Sequence, residues 1–132
     1  MILLDTLPLV DFFKGQSETV NKIILDSEQG KVKLGISAVT LSELFYILAD
    51  FRGIYFSKIC IENIKAQLEV IPLDAEMAEK AGELKFLYAG KGKKGLPMAD
   101  AIIAATSLIH NAQLITSDPH FDKIKGIKLR KS

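Results

Sequence analysis

The sequence predicts an α/β domain with a central, mostly parallel sheet of about four to five strands flanked by helices. Three observations carry this expectation. Short apolar runs alternate along the chain with longer stretches of helical periodicity. The first of these runs, Ile2-Leu3-Leu4, is apolar throughout, as a strand covered on both faces requires. The length, 132 residues, suits one domain and leaves little room for two, so residues 1–132 are read as a single unit.

Ile2-Leu3-Leu4 is too short for a helix and stops at Asp5-Thr6, which makes it a first buried strand. Pro8 suits the first turn of a helix whose apolar face is Leu9, Val10, Phe12 and Phe13. A second helix is expected over residues 17–29, with Gly30 as its stop. Residues 33–37 form strand two, and Thr40-Leu41-Ser42-Glu43 reads as a capping box opening the next helix. Gly53 interrupts that helix, and another is expected from about Ser57 to Leu68. Val70-Ile71 is strand three, ended by Pro72, and Asp74 caps the helix carrying Met77, Ala81 and Leu84. The glycine- and lysine-rich run 90–95 is a loop by composition. Pro97 opens an alanine-rich helix over residues 99–106 whose small side chains permit close approach to a sheet. Gln113–Thr116 is strand four, Ser117-Asp118-Pro119 a turn, and Ile127–Leu129 a fifth strand at the sheet edge.

Composition excludes several function classes. Hydrophobic residues at 48% and charged residues at 25% rule out intrinsic disorder. Seventeen basic and sixteen acidic residues leave a formal charge of +1, so any nucleic-acid contact must be local rather than a global field. Cys60, the single cysteine, excludes an internal disulfide and a cysteine-rich zinc site, and reads as a small core residue. The start of the chain lacks the basic segment of a signal peptide, and no uncharged apolar run approaches the roughly 18 residues of a membrane span. The expected compartment is the cytosol, without a membrane partner.

The chemistry lies in four carboxylates. Asp5 ends strand one, Asp118 follows strand four, Glu43 opens the helix after strand two, and Asp100 opens the helix leading into strand four. In a parallel α/β sheet these positions share one edge, where ligands bind. Each also has an ordinary explanation: Asp5 as a cap, Glu43 as part of the capping box, Asp100 as a complement to the helix dipole, Asp118 as a turn residue. Together they are harder to dismiss. Two carboxylates about 5 Å apart repel by roughly 3 kcal/mol at an effective dielectric near 20, so their convergence calls for raised pKa values or a cation. Oxygen ligands without a Cys or His cluster suit Mg²⁺ or Mn²⁺, ions that assist phosphodiester hydrolysis.

Over nearly its whole length the chain resembles the PIN-domain family, and within it the VapC-like toxins of toxin–antitoxin pairs. The carriers are Ile2-Leu3-Leu4-Asp5-Thr6, the stretch from Ser37 to Leu44, Pro97-Met98-Ala99-Asp100 through Thr106, and Leu114-Ile115-Thr116-Ser117-Asp118. The stretch from Pro97 to Thr106 is the most specific. The resemblance places the four acidic positions of the family on Asp5, Glu43, Asp100 and Asp118, with supporting hydroxyls on Thr6 and Thr116. It implies a Mg²⁺- or Mn²⁺-dependent endoribonuclease acting on an RNA substrate, with Asp5, Asp100 and Asp118 holding the metal. It also implies a homodimer and inhibition by a cognate antitoxin. Where the family commonly has Ser or Asn after Asp-Thr, this chain has Leu7, followed by Pro8.

Other features accompany this reading. Lys91, Lys93 and Lys94 precede the Asp100 helix and are candidates for phosphate contacts, or else belong to a solvated loop. Ten of the thirteen residues from Leu44 to Phe56 are apolar, too many for one buried stripe, so part of this segment is expected to face a partner. His110 reads as a helix-end residue, and His120, two residues past Asp118, as the better candidate for a phosphate or supporting contact. Position 7 excludes the Asp-x-Asp of phospho-aspartyl phosphatases, and strand one has no glycine-rich phosphate turn after it. An RNA-processing nuclease and a non-cleaving RNA- or protein-binding module are the competing functions. The intact acidic set favours an enzyme.

Overall fold

A computed structural model of the protein describes residues 1–90 and 95–132. The apolar runs become strands β1 (Ile2–Leu4), β2 (Leu34–Ser37), β3 (Glu69–Ile71), β4 (Gln113–Ile115) and β5 (Lys128–Arg130). They form one sheet in the order β3-β2-β1-β4-β5, with every pairing parallel. Between them run α1 (Thr6–Phe13), α2 (Glu18–Glu28), α3 (Ala38–Arg52), α4 (Ile54–Gln67), α5 (Ala75–Leu87) and α6 (Met98–Ile109), and a 3₁₀ turn spans Pro119–Phe121. Among the described residues, no helix is long and apolar enough to cross a membrane.

Successive strand residues face opposite sides, which explains why β1, covered on both faces at Leu3 and Leu4, is apolar throughout. Leu4, Ile36 and Ile115 join one core with Leu9, Val20, Leu44 and Ile64 from α1 to α4. Leu3 and Leu114 join the other with Met77 and Leu84 of α5 and Ala101, Ala104 and Ala105 of α6. Those three alanines are fully buried, and their small size brings α6 close to its neighbours. Cys60 is buried in the first core, and burial pushes its thiol pKa up.

Three boundaries depart from expectation. α3 begins at Ala38 with Ser37 as its cap, whose Oγ accepts from the Val39 amide at 3.3 Å, so Thr40-Leu41-Ser42-Glu43 is not a capping box. The pairing of Ser37 with Ile71 ends β2 at that residue and places the first free helical amides within its reach. α4 starts at Ile54 rather than Ser57 because Gly53, at φ +93°, turns the chain in a single residue. The Ser57 hydroxyl instead donates to the Phe45 carbonyl at 2.7 Å. β5 lies one residue later than expected, in register with β4 through Leu114 and Leu129. The expected loop 90–95, with Lys91, Lys93 and Lys94, lies outside the described residues except for Gly90 and Gly95. A Cβ at Gly95 would collide with the Ala89 carbonyl, so glycine is required where the chain returns.

The topology positions the site. From β1 the chain steps outward through β2 to β3, then crosses back through α5 and α6 to lay β4 on the other side of β1. This reversal opens a crevice at the carboxyl ends of β1 and β4, the place where open α/β sheets bind ligands.

Candidate active site

Asp5 is the first residue beyond β1, and its amide still donates to Ile115 of β4 at 3.0 Å. Its backbone is extended, so its side chain turns back to cap α1: Oδ1 accepts from the Thr6 amide at 2.8 Å. Oδ2 accepts from the Thr116 hydroxyl at 2.6 Å. The same hydroxyl accepts from the Asp118 amide at 3.0 Å, so Thr116 fixes both the first carboxylate and the backbone that carries the fourth. The Thr6 hydroxyl donates to Glu43 Oε1 of α3 at 2.9 Å. Asp118 caps the 3₁₀ turn, its Oδ1 accepting from the His120 amide at 2.9 Å. The turn then brings His120 Nδ1 to 2.8 Å from Asp118 Oδ1 and 3.3 Å from Asp100 Oδ2 on α6.

These contacts bring Asp5, Glu43, Asp100 and Asp118 to the crevice, with Thr6 and Thr116 hydrogen-bonded among them. Asp5 and Asp118 do serve as caps, and Asp100 does lie in the first turn of its helix; these ordinary roles coexist with the convergence. Glu43 has no capping role, and its carboxylate is held by Thr6 instead. Leu7, at the position of the family's polar residue, is half-exposed and apolar. His120, expected only as a phosphate or supporting contact, stands against both Asp118 and Asp100. Its signal was its place just past Asp118 across Pro119, where a tight turn folds the side chain back.

The site is electrostatically tense. The Asp100 carboxyl is pushed up to about 6, first by burial and then by the charges of Asp118 and Asp5, with His120 opposing and Glu43 adding to the rise. Burial also raises Asp5 and the charge of Asp118 adds to it, while hydrogen bonds from Thr116 and Thr6 pull the other way. Among the described residues, no lysine or arginine pairs with any of the four carboxylates. Asp100, Asp118 and His120 each offer one donor atom, all within 4.8 Å of one another. Hard carboxylate oxygens, an uncompensated negative charge and no thiolate fit a divalent cation of the Mg²⁺ or Mn²⁺ kind. A cleft of about 440 Å³, lined by Leu87, Tyr88, Leu96, Pro119, His120 and Lys123, opens beside His120.

A parallel sheet that gathers acidic residues at its topological switch point defines an α/β protein with an acidic ligand-binding crevice. Comparison with known proteins makes this specific: the PIN domain family model matches residues 2–127, and the chain belongs to that family. No match was found among curated proteins. Solved structures share the fold. A chain of VapBC2 from Rickettsia felis, bound to a DNA fragment from its promoter, superposes with a TM-score of 0.79 at 23% identity, covering 99% of this chain and 98% of that one. A toxin–antitoxin complex from Klebsiella pneumoniae gives 0.72 at 25% identity over 96% and 95%. VapC20 of Mycobacterium tuberculosis, described as a sarcin-ricin loop cleaving toxin, gives 0.70 at 15% identity over 92% and 93%.

Proposed function

We propose that this protein is a VapC-like toxin, an endoribonuclease that hydrolyses RNA phosphodiester bonds with Mg²⁺ or Mn²⁺ and is held in check by a cognate antitoxin. One observation carries the reading: four carboxylates from four separate segments meet at the switch point, with no lysine or arginine paired to them among the described residues. A family whose solved relatives include toxin–antitoxin complexes and an RNA-cleaving toxin supports it.

Asp5, Asp100 and Asp118 would hold the metal, and Glu43 completes the acidic pocket. The ion, when bound, polarises the scissile phosphate and makes water nucleophilic near neutral pH. Thr116 fixes Asp5 Oδ2, Thr6 fixes Glu43, and the two caps orient Asp5 and Asp118, so these side chains are set before substrate arrives. Lys91, Lys93 and Lys94, outside the described residues, are assigned to contacts with RNA phosphates. The cleft beside His120 has room for a neighbouring nucleotide. Tyr46, Ile54, Tyr55 and Ile59 stand exposed on α3 and α4, and they are the surface assigned to the homodimer or to the antitoxin. The reading places the protein in the cytoplasm, with its RNA.

The test is cleavage of structured and unstructured RNAs with Mg²⁺, with Mn²⁺ and with excess chelator, alongside Asp100→Asn. Chelator-sensitive cleavage that the substitution abolishes is the expected result. Undiminished cleavage by Asp100→Asn would remove that residue from the mechanism. A folded protein that neither cleaves nor binds metal would leave the non-cleaving module.

A further inference from the structure

We propose that His120 is itself a metal ligand, through Nδ1, and that this nitrogen biases the site toward Mn²⁺ over Mg²⁺. The proposal rests on the metal-dependent reading of the carboxylate site.

His120 Nδ1 faces carboxylates from two different elements at once, a spacing that one shared ion would accept. His120 Nδ1 stands 2.8 Å from Asp118 Oδ1 and 3.3 Å from Asp100 Oδ2, two oxygens carried by different elements. Neighbouring donors around an octahedral ion with bonds of about 2.1 Å lie about 3.0 Å apart, and the two separations bracket that value. The imidazole is also held in place by its own backbone. The His120 amide is bound to Asp118 Oδ1, Pro119 restricts the preceding φ, and Phe121, fully buried in the core beneath, anchors the turn. Asp118 and His120 therefore form one rigid two-donor unit facing Asp100 across the crevice.

Ligand chemistry then dictates selectivity. Mg²⁺ strongly prefers oxygen and keeps its waters, whereas Mn²⁺ accepts an imidazole nitrogen more readily. A site of carboxylates alone gains little discrimination between the two. Adding one imidazole raises affinity for Mn²⁺ with little return for Mg²⁺.

The experiment uses the full chain, stripped with chelator and loaded with substoichiometric Mn²⁺. Pulsed electron paramagnetic resonance reads nitrogen coupling to the bound ion, and calorimetric titrations with Mn²⁺ and Mg²⁺ accompany it. His120→Gln, His120→Ala and the control His110→Gln are compared. The His120 side chain is 45% exposed, so truncating it opens no core cavity, and circular dichroism checks the fold. Expected are nitrogen coupling in the natural protein and in His110→Gln, its loss in both His120 variants, a fall in Mn²⁺ affinity of about tenfold or more, and a much smaller change for Mg²⁺. Bound Mn²⁺ without nitrogen coupling would overturn His120 ligation while leaving the carboxylate site standing. Equal losses for both metals would overturn the selectivity. Failure of the natural protein to bind Mn²⁺ would overturn the metal-dependent reading and this proposal with it.

Discussion

Asp100 carries a proton in the folded protein at pH values where the unfolded chain has released it. Its carboxyl is pushed from an ordinary value of 3.8 up to about 6 by burial and by the neighbouring carboxylates, with only 15% of its side chain exposed. Between those values the native state binds more protons than the unfolded state, so this residue's contribution to stability falls as pH rises through the window and is lost above about 6. The loss is on the order of 2–3 kcal/mol. In chelator, Asp100→Asn is therefore expected to raise unfolding free energy by that order at pH 7.5 and to change it little near pH 4, as urea denaturation at the two pH values will read. Saturating Mn²⁺ closes that gap, because about a hundredfold excess over the dissociation constant stabilises the natural protein by about 2.7 kcal/mol. Two buried threonines make an opposed pair. Thr116 bonds both Asp5 and the Asp118 amide, so Thr116→Val leaves them short of partners and costs about 2–3 kcal/mol. The Thr40 hydroxyl is buried with no partner among the described residues, so Thr40→Val gains about 1 kcal/mol in the same denaturation assay.

At the scale of elements, the cap and the alanine helix give separate tests. Ser37→Ala removes the hydroxyl bound to the Val39 amide and is expected to cost about 1 kcal/mol. Ala104→Leu forces a larger side chain into a fully buried position between α6 and its neighbours, at a cost of about 1–3 kcal/mol in chemical denaturation. The same elements explain what was legible in the sequence. Leu3 and Leu4 face opposite cores, so β1 is apolar at both and stands out as a run. The start of α3 was hidden because β2 enters it without a loop and both Ser37 and Thr40 are capping residue types; only the pairing of Ser37 with β3 decides between them. Asp5, Asp100 and Asp118 were legible as a group because parallel topology sends strand ends and helix starts to one edge, whereas Glu43, expected in a first turn, lies in the second turn of α3 and reaches the group through Thr6. The closeness of His120 to Asp100 was not, because it depends on how α6 meets the 3₁₀ turn, and no local periodicity encodes that approach.

The whole molecule divides its apolar surface between two cores and an exterior that is not fully polar. Leu44 and Leu48 are buried, Phe45, Ile47 and Phe56 pack against the core, and Tyr46 and Tyr55 remain 71% and 80% exposed, so the apolar segment noticed in the sequence serves both the interior and the surface. The double substitution Tyr55→Glu and Ile59→Glu is expected to shift the proposed homodimer toward monomer in sedimentation velocity while circular dichroism stays unchanged. An unaltered distribution would move the dimer contact elsewhere. The sheet order has one more consequence, for the timing of synthesis. Asp5 is made well before the hydroxyl that holds it, which arrives 111 residues later, just past the strand that must slot in beside β1. A nascent chain still lacking β4 has no Asp118, no His120 and no wall for the crevice. A ribosome therefore carries a chain able to assemble the centre only after β4 has been made, and products that stop short of it are expected to lack the proposed nuclease activity.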